Sequence, residues 1–228
     1  MTSPRTERKS VVWNSAAVAL ESRDFRRVVK DLQPHQDELD EAALVQLALA
    51  LESLGGKAEA IKVLEGNLDD QARRLDAMGV LGGRLKRRWL AERRQADGER
   101  ARKLYADGFA LAEKAGKHDA SFYLGINVAF MDLAYRQDRA AAKTMAEKVM
   151  AHCQQADASM WRFATEGEAN LVLGHIAQAG EKYRLAVNED PTPRQTESMY
   201  HQAMKVADLI GSKKALQELT AIFRPDVP

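Results

Sequence analysis

Apolar residues recur at three- and four-residue intervals along almost the whole chain, and the alternation expected of strands is missing. The periodic stretches predict helices near 10–21, 24–33, 40–54, 57–66, 71–95, 98–116, 119–136, 138–153, 157–173, 176–188, 193–210 and 213–223. Ala, Leu, Glu, Lys and Arg fill them, all good helix formers. Pro4, Pro34, Pro191, Pro225 and Pro228 fall at breaks or ends, and Pro193 is placed to open a helix, where its missing N–H costs nothing. Several links are very short: Ser22-Arg23, Gly55-Gly56, Gln137 and Gly174-His175. Such links join antiparallel helix hairpins.

Paired helices in series raise the question of a repeat. Counting from Met160, position 8 is Gly167, 15 is Gly174, 20 is Ala179, 24 is Tyr183, 27 is Ala186 and 32 is Pro191. That is the tetratricopeptide pattern: small residues where two helices touch, an aromatic filling the gap between neighbours, and a turn residue between them. Residues 41–74 fit the register with Ala48, Leu51, Ala60 and Leu64, and 122–155 fit with Ala129 and Ala141. A longer unit near 73–116 keeps Leu81-Gly82, Ala101 and Tyr105, while the pair at 9–38 is weaker. The predicted fold is therefore all-α, a tetratricopeptide-like right-handed α-solenoid of about five to six antiparallel helix pairs. The alternative is a non-repetitive helical bundle. The expected layout is a disordered tail at 1–9, one repeat domain over 10–224 and a short tail at 225–228.

Composition narrows the functional classes. Hydrophobic residues make up 45% and charged residues 29% of 228, enough apolar side chains to bury a core. A net charge of +1 gives no global pull toward nucleic acid or an anionic membrane. Cys153 is the one cysteine, so no intrachain disulfide can form, as suits a reducing cytoplasm. The basic start followed by VVWNSAAVAL mimics a signal peptide, but Asn14 and Ser15 interrupt the apolar run and ESRDFRR follows at once. No apolar run is long enough to span a bilayer.

Three boxes stand out within residues 76–135: Gly79-Val-Leu-Gly82-Gly83-Arg84-Leu85-Lys86, Tyr105-Ala-Asp-Gly108-Phe109, and Tyr123-Leu-Gly125-Ile126-Asn127-Val-Ala129. Their order resembles the tetratricopeptide-type TRAFs-binding domain of the apoptosis signal-regulating kinases, over about 40–210. The third box fits well. The first departs, with Lys86 where that family has Tyr and Arg87 where it has Lys. The resemblance implies an all-α regulatory or adaptor region. It carries over neither kinase activity, whose motifs the chain lacks, nor TRAF binding.

The residues offer little chemistry. Gly55-Gly56-Lys57 lacks the first glycine and the Ser or Thr of a phosphate-binding loop and reads as a turn. His35, His118 and His175 lie near predicted turns and are expected to be solvated. Glu197 and His201 share a helix face as a surface pair. His152 and Cys153 are adjacent on a helix and point about 100° apart, so Cys153 reads as a structural cysteine rather than a nucleophile. Asp69-Asp70 and Glu166 with Glu168 read as cap or surface charges. No catalytic residue, cofactor or metal site is predicted.

The segment 83–103, GRLKRRWLAERRQADGERARK, holds nine basic side chains and Trp89. It reads either as a charged helix with Leu85, Trp89 and Leu90 facing the core, or as a patch for an acidic peptide or nucleic acid. The expected function is a protein-interaction scaffold whose concave groove takes a partner segment, with no enzyme activity. The candidate lining residues are Arg84, Lys86, Arg87, Asn127, Phe130, Arg162 and Asn170. The arginines would take carboxylates, the asparagines peptide backbone and Phe130 an apolar anchor. Nucleic-acid binding through 83–103 is the alternative.

Overall fold

A computed structural model describes residues 4–66, 68 and 74–224. Among them are twelve α-helices and one short 3₁₀ helix, with no strand. The order is α1 (Pro4–Glu21), α2 (Phe25–Leu32), the 3₁₀ helix (Gln33–Glu38), α3 (Glu41–Ser53), α4 (Lys57–Glu65), α5 (Arg74–Glu92) and α6 (Gln95–Lys114). Then come α7 (His118–Ala134), α8 (Arg139–Cys153), α9 (Met160–Leu173), α10 (Ile176–Asn188), α11 (Pro193–Ile210) and α12 (Lys213–Phe223).

Local chemistry sets many of these boundaries. The side chains of Asp24, Asp40, Asp138, Ser159, Thr192 and Ser212 each accept a hydrogen bond from the backbone N–H three residues on. Thr192 and Gln195 complete a reciprocal capping box, with Pro193 behind it at the first helical position. At the other ends, Gly55 and Gly174 both take φ +90°, which a side chain would strain. The turn lets Gly56 N–H reach the Leu51 carbonyl at 2.8 Å, and His175 N–H reach that of Asn170 at 2.8 Å. Gly55-Gly56-Lys57 is thus a helix stop and restart. Some boundaries differ from expectation: α1 opens at Pro4, the break at Pro34 is itself a 3₁₀ turn, and the break expected at 96–97 falls at Arg93-Arg94.

Backbone contacts gather into two compact units, one ending at Arg87 and the other beginning at Arg88, within α5. The expected 10–224 domain covers parts of both. In the first, α1 packs on α2 and α3, and α3 on α4. Val28, Leu32, Leu44, Leu47, Leu64 and Leu81 are fully buried there. In the second, each of α7, α9 and α11 packs on the next helix in the chain. α7 also touches α9, α9 touches α11, and α10 touches α12. First helices stacking on first helices, and second on second, is the tetratricopeptide mode of packing.

Small residues permit that approach. A Cβ on Gly167 would lie 2.9 Å from the Tyr183 ring, and one on Gly125 would lie 2.7 Å from Val149 Cγ2. Gly167 and Tyr183 hold positions 8 and 24 of the repeat register, so the sequence pattern and the contact are the same fact. No described helix is long and apolar enough to cross a membrane.

Candidate functional site

The first helices of the second unit are more deeply buried than a groove lining requires. In α7, buried residues run from Ser121 and Phe122 through Leu124–Leu133, and in α9 from Thr165 to Val172. Phe130, expected as an exposed apolar anchor, is 0% exposed and belongs to the core. Asn127 and Asn170, expected to bond a partner's backbone, donate their Nδ2 groups to the carbonyls of Tyr123 and Glu166, each at 2.8 Å within its own helix. Arg162 donates Nη1 to the Ala156 carbonyl at 2.9 Å and lies over the Phe163 ring. Phe130, Asn127 and Asn170 are thus buried, and Arg162 is partly exposed but hydrogen-bonded to its own chain.

In the first unit Arg84 and Arg87 meet on one carboxylate. Arg84 is 6% exposed, and its Nη1 lies 2.8 Å from Glu52 Oε2 on α3. Arg87 reaches the same oxygen at 3.4 Å, with 55% of its side chain in solvent. Lys86 is half-buried and also engaged. Of the seven sequence candidates, Arg87 keeps the most surface.

The basic segment 83–103 keeps Arg87, Arg93, Arg94, Arg100 and Lys103 in solvent, yet its side chains are engaged within the protein. Arg88 holds Asp97 through a two-pronged contact of 2.6 and 2.5 Å. Arg102 holds Asp132 at 2.6 Å, and Arg136 approaches the same carboxylate at 3.4 Å. Arg94 approaches Asp97 and Lys103 pairs with Asp107. Arg93 lies over the Trp89 ring, and Arg100 is engaged as well. Trp89 is buried edge-on against Tyr135, so it offers no stacking platform. The arginines beside Asp97, Arg88 first, hold its carboxyl below the usual range even though burial pushes the other way.

Glu166 and Glu168, expected as cap or surface charges, are buried. Lys182 Nζ sits 2.6 Å from Glu166, and Gln202 Nε2 donates to Glu168 at 2.8 Å. Hydrogen-bonded partners from α10 and α11 make their burial tolerable. Asp69-Asp70 lies outside the described residues. Cys153 is fully buried, and its thiol is pushed up to about 12, by burial first and then by Glu166. His152 turns away from it: its Nδ1 faces His118 Nδ1 at 3.0 Å and its Nε2 faces Glu113 at 3.6 Å. His118 is therefore not simply solvated as expected. His201 and Glu197 form the expected surface pair at 3.1 Å, which Arg224 joins. Among the described residues, no group of three or more His, Cys, Asp or Glu side chains gathers to hold a metal.

Two aromatic residues outside the seven candidates stay exposed. Tyr123 on α7 is 44% exposed and Trp161 on α9 is 46% exposed. Each is the second residue of its repeat, counting from Phe122 and Met160. That shared register position was the available signal. α7 and α9 pack directly, with Tyr123 the sixth residue of α7 and Trp161 the second of α9.

A family model described as Tetratricopeptide Repeats-Sensor matches residues 24–132. The fold is tetratricopeptide-like. The match takes in the boxes at 79–86, 105–109 and 123–129, whose Tyr105, Phe109 and Gly125 are core residues. It extends to the fold, and not to the TRAF-binding specificity of the kinase domains. No curated protein matches the chain. Helical repeats of this type generally bind proteins and are generally non-catalytic.

Proposed function

We propose that this protein is a non-catalytic scaffold that captures a partner protein on the first-helix face of its second unit, with Tyr123 and Trp161 as the anchors. The carrying observation is the exposure of two large aromatic residues at the same repeat-register position on helices that pack on each other. Tyr and Trp are over-represented among residues that dominate binding energy, since each buries a large area while ordering few rotors. A partner segment would place one apolar side chain against each ring. A deep concave groove is not part of this reading, because Phe130, Asn127, Asn170 and Arg84, four of the seven residues expected to line it, are buried. The matched family's description as a sensor fits a domain that reports by binding. A buried lone thiol suits the reducing cytoplasm.

The test is co-purification of partners from the native host with the intact chain, compared with a Tyr123→Ala/Trp161→Ala double variant. The expected result is loss of specific partners with unchanged helical circular dichroism. An identical partner profile for the two proteins would refute this face. Lys86→Ala/Arg87→Ala serves as the comparison on the first unit.

A further inference from the structure

A cavity of about 250 Å³ opens in the second unit where α7, α8, α9 and α10 meet the turn between α11 and α12. Leu133, Leu171, Ile176 and Ile210 supply an apolar lining. Arg139 and Lys143 of α8 border it, and no acidic residue does. They are four apart on one helix face, a like-charge arrangement that costs stability unless something offsets it. Arg139 gives Nη2 to the Leu209 carbonyl at 3.0 Å, which fixes the guanidinium beside the cavity. α10 begins at the same place, since Gly174 and Ile176 both line the cavity, and its N-cap His175 supplies no side-chain cap. Its first-turn N–H groups and positive dipole end add to the cationic character of the mouth.

The geometry points to a binding site for a small aliphatic carboxylate: a leucine-sized apolar group in the lining, and its carboxylate between Arg139 and Lys143. Size decides the class. A cavity of about 150 Å³ holds a benzene-sized group, and drug- or cofactor-sized ligands need about 300–1,000 Å³. The space here matches one branched alkyl group with a carboxylate and is too small to enclose a nucleotide or a long acyl chain. Charge decides the head group, because two cations and a helix N-terminus face a mouth without an anion. The site lies ten residues along α7 from Tyr123, about 15 Å, so it is independent of the aromatic face. The ligand could be a free acid or the last residue of a peptide chain, which present the same chemistry.

The experiment titrates the methyl-labelled intact chain with 4-methylpentanoate, 4-methylpentanamide, acetyl-Ala-Ala-Leu and its C-terminal amide, followed by NMR. The expected result is a saturable shift of the Leu133, Ile176 and Ile210 methyls by at least one carboxylate, with its amide binding at least tenfold more weakly. Lys143→Gln, at an exposed position, is expected to weaken that binding about tenfold with the spectrum otherwise intact. Binding of the free acid identifies a small-molecule site, and binding of the peptide alone identifies a chain-end site. Equal binding of acid and amide, or no saturable shift with any probe, overturns the proposal. Because the readout uses pure probes, it stands whether or not the Tyr123–Trp161 face captures a protein.

Discussion

Gly167 on α9 and Tyr183 on α10 touch so closely that a single added carbon at Gly167 would sit 2.9 Å from the ring atoms Cδ2 and Cε2. Tyr183 is almost completely buried, so the ring has little space into which to withdraw. Two effects compete on replacement. Glycine inside a helix ordinarily costs about 0.5–1 kcal/mol relative to alanine. Overpacking a filled core costs about 1–3 kcal/mol. Overpacking wins here, and Gly167→Ala is expected to destabilise the protein by about 1–2 kcal/mol in urea unfolding. Gly66→Ala is the control: its added carbon meets only ordinary contacts at 3.7 Å, so its stability should hold or rise slightly.

Asp97 predicts an acid dependence. Its carboxyl is held low, chiefly by the hydrogen bonds from Arg88. A carboxylate with a lowered folded pKa contributes stability above its unfolded value, about 3.9, and loses it as pH falls through the lower folded value. Asp97→Asn should therefore cost about 1–3 kcal/mol at pH 7, mostly by leaving Arg88 without its anion. The gap between variant and parent should narrow as pH falls below about 4. Urea midpoints for both proteins at pH 7 and pH 3 check this, and a gap independent of pH would contradict it.

Arg84 and Arg87 share Glu52 yet are expected to behave differently. Arg84 is buried and Arg87 is mostly solvated. Breaking a buried pair is costly because the remaining charge keeps its desolvation penalty, while an exposed pair is worth about 0–1 kcal/mol. Arg84→Ala should destabilise by about 2–3 kcal/mol and Arg87→Ala by less than about 0.5. Arg84→Glu would set two carboxylates against each other and should destabilise more than Arg84→Ala. Thermal unfolding of the three variants separates these outcomes.

Cys153 should be silent toward thiol reagents. With its pKa raised to about 12, about one molecule in ten thousand carries the thiolate at pH 8. Native protein should leave Ellman's reagent uncoloured, and addition of denaturant should release one equivalent. The linkage has the alkaline sign: a raised folded pKa gives stability that is present below the unfolded value near 8.5 and fades as pH climbs toward 12. Reaction of the folded protein at the unfolded rate would show that α8 opens locally.

The helices were legible because their signals are local. Apolar periodicity, aspartate and serine caps, and glycine stops each act within a few residues, and Gly167, Gly174, Ala179 and Tyr183 fell in register for the same steric reasons that the structure displays. The site was poorly legible because exposure depends on distant partners. Nothing local says that Phe130 is covered by neighbouring helices, or that Glu52, 32 residues upstream, takes up Arg84. Arg88 and Asp97 are nine apart across a helix boundary, beyond any helical-face rule. Tyr123 and Trp161 were legible in principle, since they share a repeat position, but an aromatic at helical spacing reads first as core. His118 and His152, 34 residues apart, needed the antiparallel pairing of α7 and α8 to meet.

The internal pairing of 83–103 bears on kinetics. Carboxylates lie within a few ångströms of most of these basic groups and the whole chain carries a net charge of only +1, so little field extends beyond about a Debye length, about 8 Å in physiological salt. A partner approaching this protein is then not drawn in from afar. Its association should proceed near the unsteered rate, about 10⁵–10⁶ M⁻¹s⁻¹, and change little with ionic strength. Discrimination between partners then resides in how long the complex lasts once formed, so slow departure rather than fast arrival is what selection on this domain would shape.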